Sequence, residues 1–292
     1  MRVGSGAHGA SRRGIALRTA TEIDSIRTAG ALAAAALDAA RAACVVGATA
    51  REIDAAVRRT IEAGGGEPLF LGYVGSGARP PFPAASCVSV NEQLVHAIPG
   101  DRVISCGDLV SIDVGVRLRG WCADTATTVA VGVPLPDRAA MLDCAEGMLA
   151  HAVDAIAPGR RWSGIASDLE AIAERAGFAI AIDFVGHGIG RTLHEPPQVP
   201  CAWSGAVSHQ DFTLRPGMVL AIEPMLVLER PTRNRDGAWL SPRATTAADG
   251  WTVTVDSGAA SCHVEHTVAV TRVGADVLTL RGGCEARLRR AG

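Results

Sequence analysis

Two aspartates, Asp113 and Asp124, interrupt sequence that otherwise favours a β-sheet. They belong to SIDVGVRLRGWCADTATTVAVG (111–132), in which Val, Ile and Thr flank an Arg-Gly pair. Two apolar runs around such a pair predict a β-hairpin over 108–130, with a two-residue turn or a four-residue loop. Either loop places Asp124 opposite Gly115. Both carboxylates then lie on one face as diagonal neighbours, and Gly115 leaves the space between them open.

Like charges held this close on a half-buried sheet repel each other, and loss of hydration adds to the free energy cost. Three arrangements relieve the repulsion: one carboxyl group takes up a proton, an arginine pairs with both, or a cation binds between them. Arg117 and Arg119 are close enough in the sequence for the second arrangement. The hairpin by itself therefore leaves all three open.

Further ionisable residues interrupt apolar, strand-like sequence: His187 in FVGHGIG, Glu223 in VLAIEPM and Glu265 in CHVEHTVAV. Each alone is more often a buried polar residue with a hydrogen-bond partner than a ligand. Together with the hairpin they form a carboxylate-rich set with one imidazole, which suits Mn²⁺, Fe²⁺, Co²⁺ or Zn²⁺. More than two shared carboxylates suit a pair of ions, and two ions about 3.5–4 Å apart can activate a water between them.

Competing motifs do not fit. GHGIGR lacks the spacing of a dinucleotide-binding G-x-G-x-x-G loop. HEPP (194–197) cannot belong to an H-E-x-x-H helix, because proline does not fit a helix interior. HVE (263–265) has the H-x-E spacing of a zinc deaminase, but the accompanying P-C-x-x-C is absent, as is the G-x-S-x-G of a serine hydrolase.

Helix signals occur in two pairs, each followed by strand-like runs between Gly and Pro. T-x-x-E capping boxes open the first two helices, and glycines end the second and fourth. The predicted helices cover about 19–44, 49–63, 137–156 and 163–176. Gly47 and Ile53 match Gly159 and Ile165 at a constant offset of 112, which indicates either a weak internal repeat or two unrelated amphipathic helices. A true repeat predicts two α+β halves with a site between them.

The composition excludes several classes of protein. The 292 residues carry a formal net charge of −2, which gives no electrostatic reason to expect a nucleic acid or a membrane as partner. Eight cysteines without a C-x-x-C pair indicate reduced thiols in a cytoplasmic protein. The N-terminus has no secretory h-region. We expect a flexible tail over 1–18 and a single catalytic domain over 19–292.

The order of these motifs resembles the methionine aminopeptidase family, type I, from about residue 16 to residue 281. The matching stretches are FLGYVG, FPAASCVSVNEQLVHAIPG, DLVSIDVGV, CADTATT, GHGIGRTLHEPPQV, LRPGMVLAIEPM, DGWTV and VEHTVAVT. The resemblance implies an α+β pita-bread fold, with two pseudo-symmetric halves around a curved antiparallel sheet and a dinuclear metal site. The large insertion of type II enzymes and an N-terminal Cys/His extension are absent, which favours the bacterial type I form.

The resemblance also implies a ligand set for two divalent ions (Co, Mn, Fe or Zn). Asp124 and Glu265 would bridge both ions, Asp113 would chelate one, and His187 with Glu223 would hold the other. The implied reaction is hydrolytic removal of the initiator methionine from nascent proteins and peptides, with a preference for a small second residue. A hydroxide activated by the two ions would attack the first peptide bond.

Catalytic roles are implied for three residues. Glu223 would shuttle a proton, while His96 and His194 would hydrogen-bond the scissile amide and the oxyanion. The methionine pocket would be lined by Tyr73, Phe82, Cys87, Leu193 and Trp251 together with the two histidines.

The sequence departs from the family pattern around this pocket. Leu193 stands where Phe is common, Val264 stands where an aromatic residue is common, and GSGARPP (75–81) lengthens the pocket loop. None of these positions is a metal ligand. The departures therefore bear on pocket shape and relative rate.

The resemblance implies nascent N-termini as partners, at the ribosome, for a cytoplasmic monomer. Two alternatives remain open: a related peptidase that cleaves X-Pro bonds, and an inactive pita-bread binding module. Peptidases of the first kind usually carry an additional N-terminal domain. An inactive binding module would retain buried carboxylates, which lower the stability of the fold, without using them to hold a metal.

Overall fold

The computed structural model describes residues 14–75, 79–203 and 211–281, which form four helices and seventeen strands. The helices are α1 (Ala20–Ala43), α2 (Ala50–Ala63), α3 (Pro136–Ala155) and α4 (Trp162–Ala176). The first strands are β1 (Glu67–Pro68), β2 (Cys87–Val90), β3 (Gln93–Val95), β4 (Leu109–Leu118), β5 (Trp121–Ala130), β6 (Ala179–Ile180), β7 (Gly186–Gly188), β8 (Glu195–Val199) and β9 (Val219–Ile222). The remaining strands are β10 (Met225–Val227), β11 (Thr232–Arg233), β12 (Trp239–Leu240), β13 (Ala244–Thr246), β14 (Val253–Val255), β15 (Ser261–His263), β16 (Glu265–Val270) and β17 (Ala275–Val277).

A nine-stranded antiparallel sheet runs through the described part of the chain. Its central order is β1-β4-β5-β16-β9-β7-β8, with β2 beside β4 and β17 beside β16. Helices α1 and α2 pack on each other, and α1 also packs on β4 and β5. Helix α3 packs on α4 and reaches β16 and β17. Each half of the sheet therefore has its own pair of helices and its own hydrophobic core.

The capping boxes predicted for the first two helices are confirmed. The hydroxyl groups of Thr19 and Thr49 each accept a hydrogen bond from the backbone N–H three residues on. Helices α3 and α4 lack such a bond from their own N-cap residues. In α4 the carboxylate of Asp211 accepts from the Ser163 N–H at 3.0 Å instead. Gly177 ends α4 with a φ of 81°, as the glycine signal predicts.

The internal repeat is confirmed by hydrogen bonds that recur in the two halves. The N–H of Gly47 donates to the Ile104 carbonyl at 2.9 Å, and the N–H of Gly159 donates to the Leu214 carbonyl at 2.9 Å. The two glycines have φ values of 89° and 88°. Each helix pair thus joins its half of the sheet through the same loop geometry, in agreement with two pseudo-symmetric halves.

The predicted tail of residues 1–18 falls largely outside the described residues, which begin at Gly14. Within the described part, Ile15 packs against a hydrophobic core, and the Arg18 N–H donates to the Gly217 carbonyl at 2.7 Å. The division into a tail and a domain of residues 19–292 stays a prediction. Among the described helices none is long and apolar enough to cross a membrane.

Candidate metal centre and active site

The hairpin has the predicted register. Strands β4 and β5 pair over ten positions, with Asp113 opposite Ala126 and Gly115 opposite Asp124. Arg119 and Gly120 have φ values of 51° and 78°, the two positive angles that a two-residue type I′ turn requires. Of the two loops that the sequence left open, the structure has the shorter.

Asp113 and Asp124 are both buried on the same face, 8% and 4% exposed. The expectation that Gly115 leaves open space between them is wrong. A Cβ at Gly115 would lie 2.8 Å from the Phe70 ring, so the aromatic ring occupies that space. Gly115 is required for the close approach of Phe70, which forms one wall beside the carboxylates.

The second half brings three further ligand candidates to this face. The strand order β5-β16-β9-β7 places the start of β16, the end of β9 and the middle of β7 next to the hairpin. The ligand atoms of Asp124, His187 and Glu265 all lie within 4.8 Å of one another. Glu223 Oε1 lies 3.7 Å from His187 Nε2. All five residues predicted as ligands therefore gather at one buried place.

The His187 ring is oriented by its backbone environment. Its Nδ1 lies 3.0 Å from the Gly188 carbonyl oxygen, which can only accept a hydrogen bond. Nδ1 therefore carries the proton, and the lone pair of Nε2 faces the carboxylates. This is the arrangement by which proteins prepare a histidine as a metal ligand.

Burial is the main cause of shifted pKa values at this centre. It raises the pKa of Asp113, Glu223 and Glu265 well above the ordinary values, and the charge of Asp124 raises each further. Burial also raises the pKa of Asp124, to about 7. Without a cation, these groups therefore hold protons at pH values where exposed carboxyl groups are ionised.

The arginine arrangement is not found. Across the three described ranges, no arginine lies within ion-pair distance of Asp113, Asp124, Glu223 or Glu265. Asp113 Oδ1 and Glu265 Oε1 are buried without a hydrogen-bond partner among the described residues. Buried polar atoms are normally paired. Partnerless carboxylate oxygens beside an oriented imidazole are the donor set that a divalent transition metal uses, so the residues fit a metal.

Two further histidines border the centre. The ring centroid of His194 lies 4.4 Å from that of His187, and its Nδ1 lies 2.9 Å from the Tyr73 hydroxyl group. His96 follows β3 with a φ of 58°, which is rare for a residue other than glycine, and its ring contacts Phe184. Burial lowers the pKa of His96 to about 4, so its ring is neutral near pH 7.

The residues predicted for the methionine pocket form one cluster. Phe82, Cys87, Leu193 and Trp251 are buried in a single hydrophobic core, with Tyr73 packed against it. The Trp251 ring lies 5.3 Å from that of Phe82 and 6.2 Å from that of Tyr73. Cys87 pairs directly with Asp113 across β2 and β4. The cluster therefore adjoins the carboxylates.

The departures from the family pattern fall in different places. Leu193 belongs to the pocket cluster, whereas Val264 is buried in the core beneath α3 and α4. In the lengthened loop 75–81, residues 76–78 lie outside the described residues. The Arg79 guanidinium lies over the Trp251 ring, 4.8 Å from its centroid.

The sequence reasoning missed His263. Its side chain is 3% exposed, and its Nε2 lies 3.7 Å from Glu223 Oε2. In the sequence, the H-x-E spacing resembles a deaminase motif that lacks its P-C-x-x-C partner. Residues two apart in an extended chain share a face, so the spacing itself could have placed His263 beside Glu265, a predicted metal ligand.

Comparisons with known proteins agree with this geometry. The model of metallopeptidase family M24 matches residues 24–272. The chain is 37% identical to methionine aminopeptidase 1 of Bacillus subtilis over 265 residues, 91% of this chain and 99% of that protein. The crystal structure of methionine aminopeptidase from Thermotoga maritima matches with a TM-score of 0.80 and 35% identity, covering 91% of this chain and 99% of that one.

Prolidase from Pyrococcus furiosus shares the fold, with a TM-score of 0.67 at 24% identity, and the match covers 90% of this chain but 65% of that one. These likenesses confirm the pita-bread fold predicted from the sequence. With the buried group of carboxylates and imidazoles, they also confirm the expected use of a divalent metal. The chain belongs to metallopeptidase family M24, and its similarity to methionine aminopeptidases extends over nearly its whole length.

Proposed function

We propose that this chain is a methionine aminopeptidase that removes the initiator methionine from nascent proteins and peptides with a small second residue. One observation carries the proposal. A buried set of carboxylates with partnerless oxygens adjoins a cluster of aromatic and other apolar side chains, whose chemistry suits a thioether side chain. The full-length similarity to methionine aminopeptidases supports the same assignment.

Five residues would hold two divalent ions: Asp113, Asp124, His187, Glu223 and Glu265. Four carboxylates are more than one ion needs, which supports a pair, and the mixed oxygen and nitrogen set suits Co²⁺, Mn²⁺, Fe²⁺ or Zn²⁺. When bound, the ions would supply an activated water and a Lewis acid for attack on the first peptide bond.

The remaining roles belong to the side chains around the ligands. Glu223 accepts and returns a proton, since it faces the space between His187 and His263. The Tyr73 hydroxyl group holds Nδ1 of His194, so that its other ring nitrogen is directed at the peptide. His96 is neutral near pH 7 and hydrogen-bonds the scissile amide.

The partners follow from this reaction. We infer that the substrates are the N-termini of polypeptides as they leave the ribosome, and that the enzyme acts in the cytoplasm as a monomer. An X-Pro peptidase would use the same ligands, but the full-length similarity to methionine aminopeptidases favours removal of methionine. An inactive binding module would have no use for partnerless buried carboxylates.

A peptide assay separates these functions. Met-Ala-Ser and an Ala-Pro peptide are incubated with the protein and added Mn²⁺ or Co²⁺, and the released residue is measured. Release of methionine alone supports the proposal, release of alanine from Ala-Pro supports the X-Pro peptidase, and no release from either supports the binding module. Intact-mass measurement should also show that Met1 is retained, because Arg2 is too large for the expected second position.

A further inference from the structure

The carboxylate of Glu223 lies between two imidazole rings. Its Oε1 is 3.7 Å from His187 Nε2, and its Oε2 is 3.7 Å from His263 Nε2. Only the first of these histidines belongs to the expected ligand set. The second histidine, His263, approaches Oε2, the carboxylate oxygen that is not the one nearest His187.

His263 is held in this position by its backbone. It is the last residue of β15 and pairs with Met225 of β10. Its N–H donates to the Thr128 hydroxyl group at 2.9 Å, and the same hydroxyl group donates to the His263 carbonyl at 2.8 Å. The Thr128 contact fixes β15 against β5 and therefore fixes where the imidazole emerges.

His263 Nε2 is buried without a hydrogen-bond partner among the described residues. A buried polar atom left in this state destabilises the folded protein. A carboxylate that gives one oxygen to a metal has the complementary need, because its second oxygen lacks a donor. Proteins normally meet that need with a neighbouring group that orients the ligand.

We propose that His263 is a positioning residue of the metal centre: its Nε2–H donates to Glu223 Oε2 and so directs Oε1 towards His187 and the cation. The inference rests on the proposed metal-dependent function. The present 3.7 Å separation is longer than a hydrogen bond, so the two atoms must approach by about 0.8 Å. His263 is not proposed as a ligand, since its Nε2 lies against Glu223 Oε2 and the expected ligand set already supplies four carboxylates and one imidazole.

Two amide substitutions test the position of the donor. In His263→Gln the side-chain NH₂ lies near the place of Nε2, whereas in His263→Asn it lies near the place of Nδ1. Metal-stripped wild type and both variants are titrated with Co²⁺ by calorimetry, and the visible spectrum of bound Co²⁺ is recorded. His151→Asn is the matched control. His151 of α3 pairs with Asp168 of α4, and both side chains are half-exposed and belong to no predicted site.

The expected result is a Co²⁺ affinity close to wild type in His263→Gln and in the His151→Asn control. In His263→Asn the affinity should fall by about 10-fold or more, the usual effect of losing a group that orients a ligand. Equal affinities in all variants overturn the proposal. An equal loss in both His263 variants also overturns it, because the imidazole would then be needed as a ligand.

A measurement on the wild type covers the case in which the variants do not fold. Histidine ¹H–¹⁵N spectra of the Zn²⁺-loaded protein report which ring nitrogen of His263 carries hydrogen. A protonated Nε2 supports the proposal and an unprotonated Nε2 overturns it. Failure of wild type to bind any metal would instead overturn the proposed function, so the two failures are distinguishable.

Discussion

The two halves of the molecule supply carboxylates to one centre by different routes. In the first half, Asp113 and Asp124 come from consecutive strands joined by a two-residue turn. In the second half, Glu223 follows β9 and Glu265 begins β16, with the small strands β10–β15 between them. Asp113 and Glu223 nevertheless occupy matching places, each four residues after the start of its strand, β4 at Leu109 and β9 at Val219.

The difference begins at Pro224. Strand β4 continues for ten residues through Asp113, whereas β9 ends at Ile222, just before Glu223-Pro224. Proline has no N–H to donate, so it cannot continue a central strand. The chain leaves the large sheet there and enters the small sheet of β6, β10 and β15. One half thus forms its carboxylate pair locally, and the other depends on long-range folding.

The junction of the halves, between β5 and β16, relies on threonine side chains. The backbone pairing of these strands covers two positions, Glu265 with Ala126 and His266 with Thr125. Beyond it, the Thr267 hydroxyl group accepts from the Asp124 N–H at 2.9 Å and donates to the Asp124 carbonyl at 2.7 Å. These side-chain bonds keep Asp124 of one half in register with Glu265 of the other.

The substitutions with the largest expected effect test whether Asp113 and Glu223, the matching residues of the two halves, are both metal ligands. Asp113→Asn and Glu223→Gln each replace a charged donor oxygen with a neutral one, so turnover of Met-Ala-Ser should fall on the order of 100-fold or more. Asp168→Asn, a half-exposed carboxylate on α4, is the control and should retain wild-type turnover. Wild-type turnover in either ligand variant would contradict the site assignment.

A pH titration tests the free energy cost of burying carboxylates where the two halves meet. Burial raises the pKa of Asp124 from 3.8 to about 7, so up to this pH Asp124 binds more protons in the metal-free folded state than in the unfolded state. Buried histidines such as His96 and His187, whose pKa values are lowered to about 4, have the opposite effect below about pH 6.5. Stability of metal-free protein should therefore fall as the pH rises from about 6.5 through 7, seen as a falling melting temperature. A bound cation replaces these protons, so the metal-loaded protein should lack this fall, and identical profiles would count against a shared cation site.

Removal of the Thr267 hydroxyl group tests the junction itself. Thr267→Val keeps the shape but leaves the buried N–H and carbonyl groups of Asp124 without their partner, so the free energy of unfolding should fall by about 1–3 kcal/mol. Urea denaturation measures this. Thr28→Val on α1, whose hydroxyl group bonds only to its own helix, is the matched control and should change stability little. An equal effect in the two variants would show that the junction does not depend on Thr267.

The substitutions with the smallest expected effect on stability compare the N-termini of α2 and α4, the second helices of the two halves. Thr49→Ala removes the N-cap bond of α2 and should lower the free energy of unfolding by about 1 kcal/mol. Arg161 holds the equivalent place before α4 but makes no cap bond. Its exposed guanidinium pairs with Asp211, which keeps the hydrogen bond from the Ser163 N–H, so Arg161→Ala should cost less than about 0.5 kcal/mol. A larger loss of unfolding free energy in Arg161→Ala than in Thr49→Ala would contradict this difference between the two helix starts.

Local patterns in the sequence predicted the parts of the fold that depend on neighbouring residues. The capping boxes at Thr19 and Thr49, the glycine that ends α4, and the hairpin register all follow from rules that act within a few residues. The five residues predicted as metal ligands lie near one another, and their roles stay predictions. The choice of these residues depended on the resemblance to a family as much as on the pattern of each strand.

Contacts between distant segments could not be predicted in this way. The Phe70 ring fills the space above Gly115, which the hairpin pattern left empty. The cap of α4 comes from Asp211, and the partner of His194 is Tyr73, more than a hundred residues away. No local periodicity carries information about such pairs.

The sequence by itself determined the two helix pairs and the hairpin with its two acids, because these depend on backbone geometry and side-chain chemistry over short spans. The resemblance to a family added the set of residues predicted to bind a metal. Only the tertiary structure decided that Glu223 lies between two imidazoles and that Thr267 joins the halves at Asp124. These contacts arise where chain segments separated by tens of residues are buried together. Burial is what forces their polar groups to find each other.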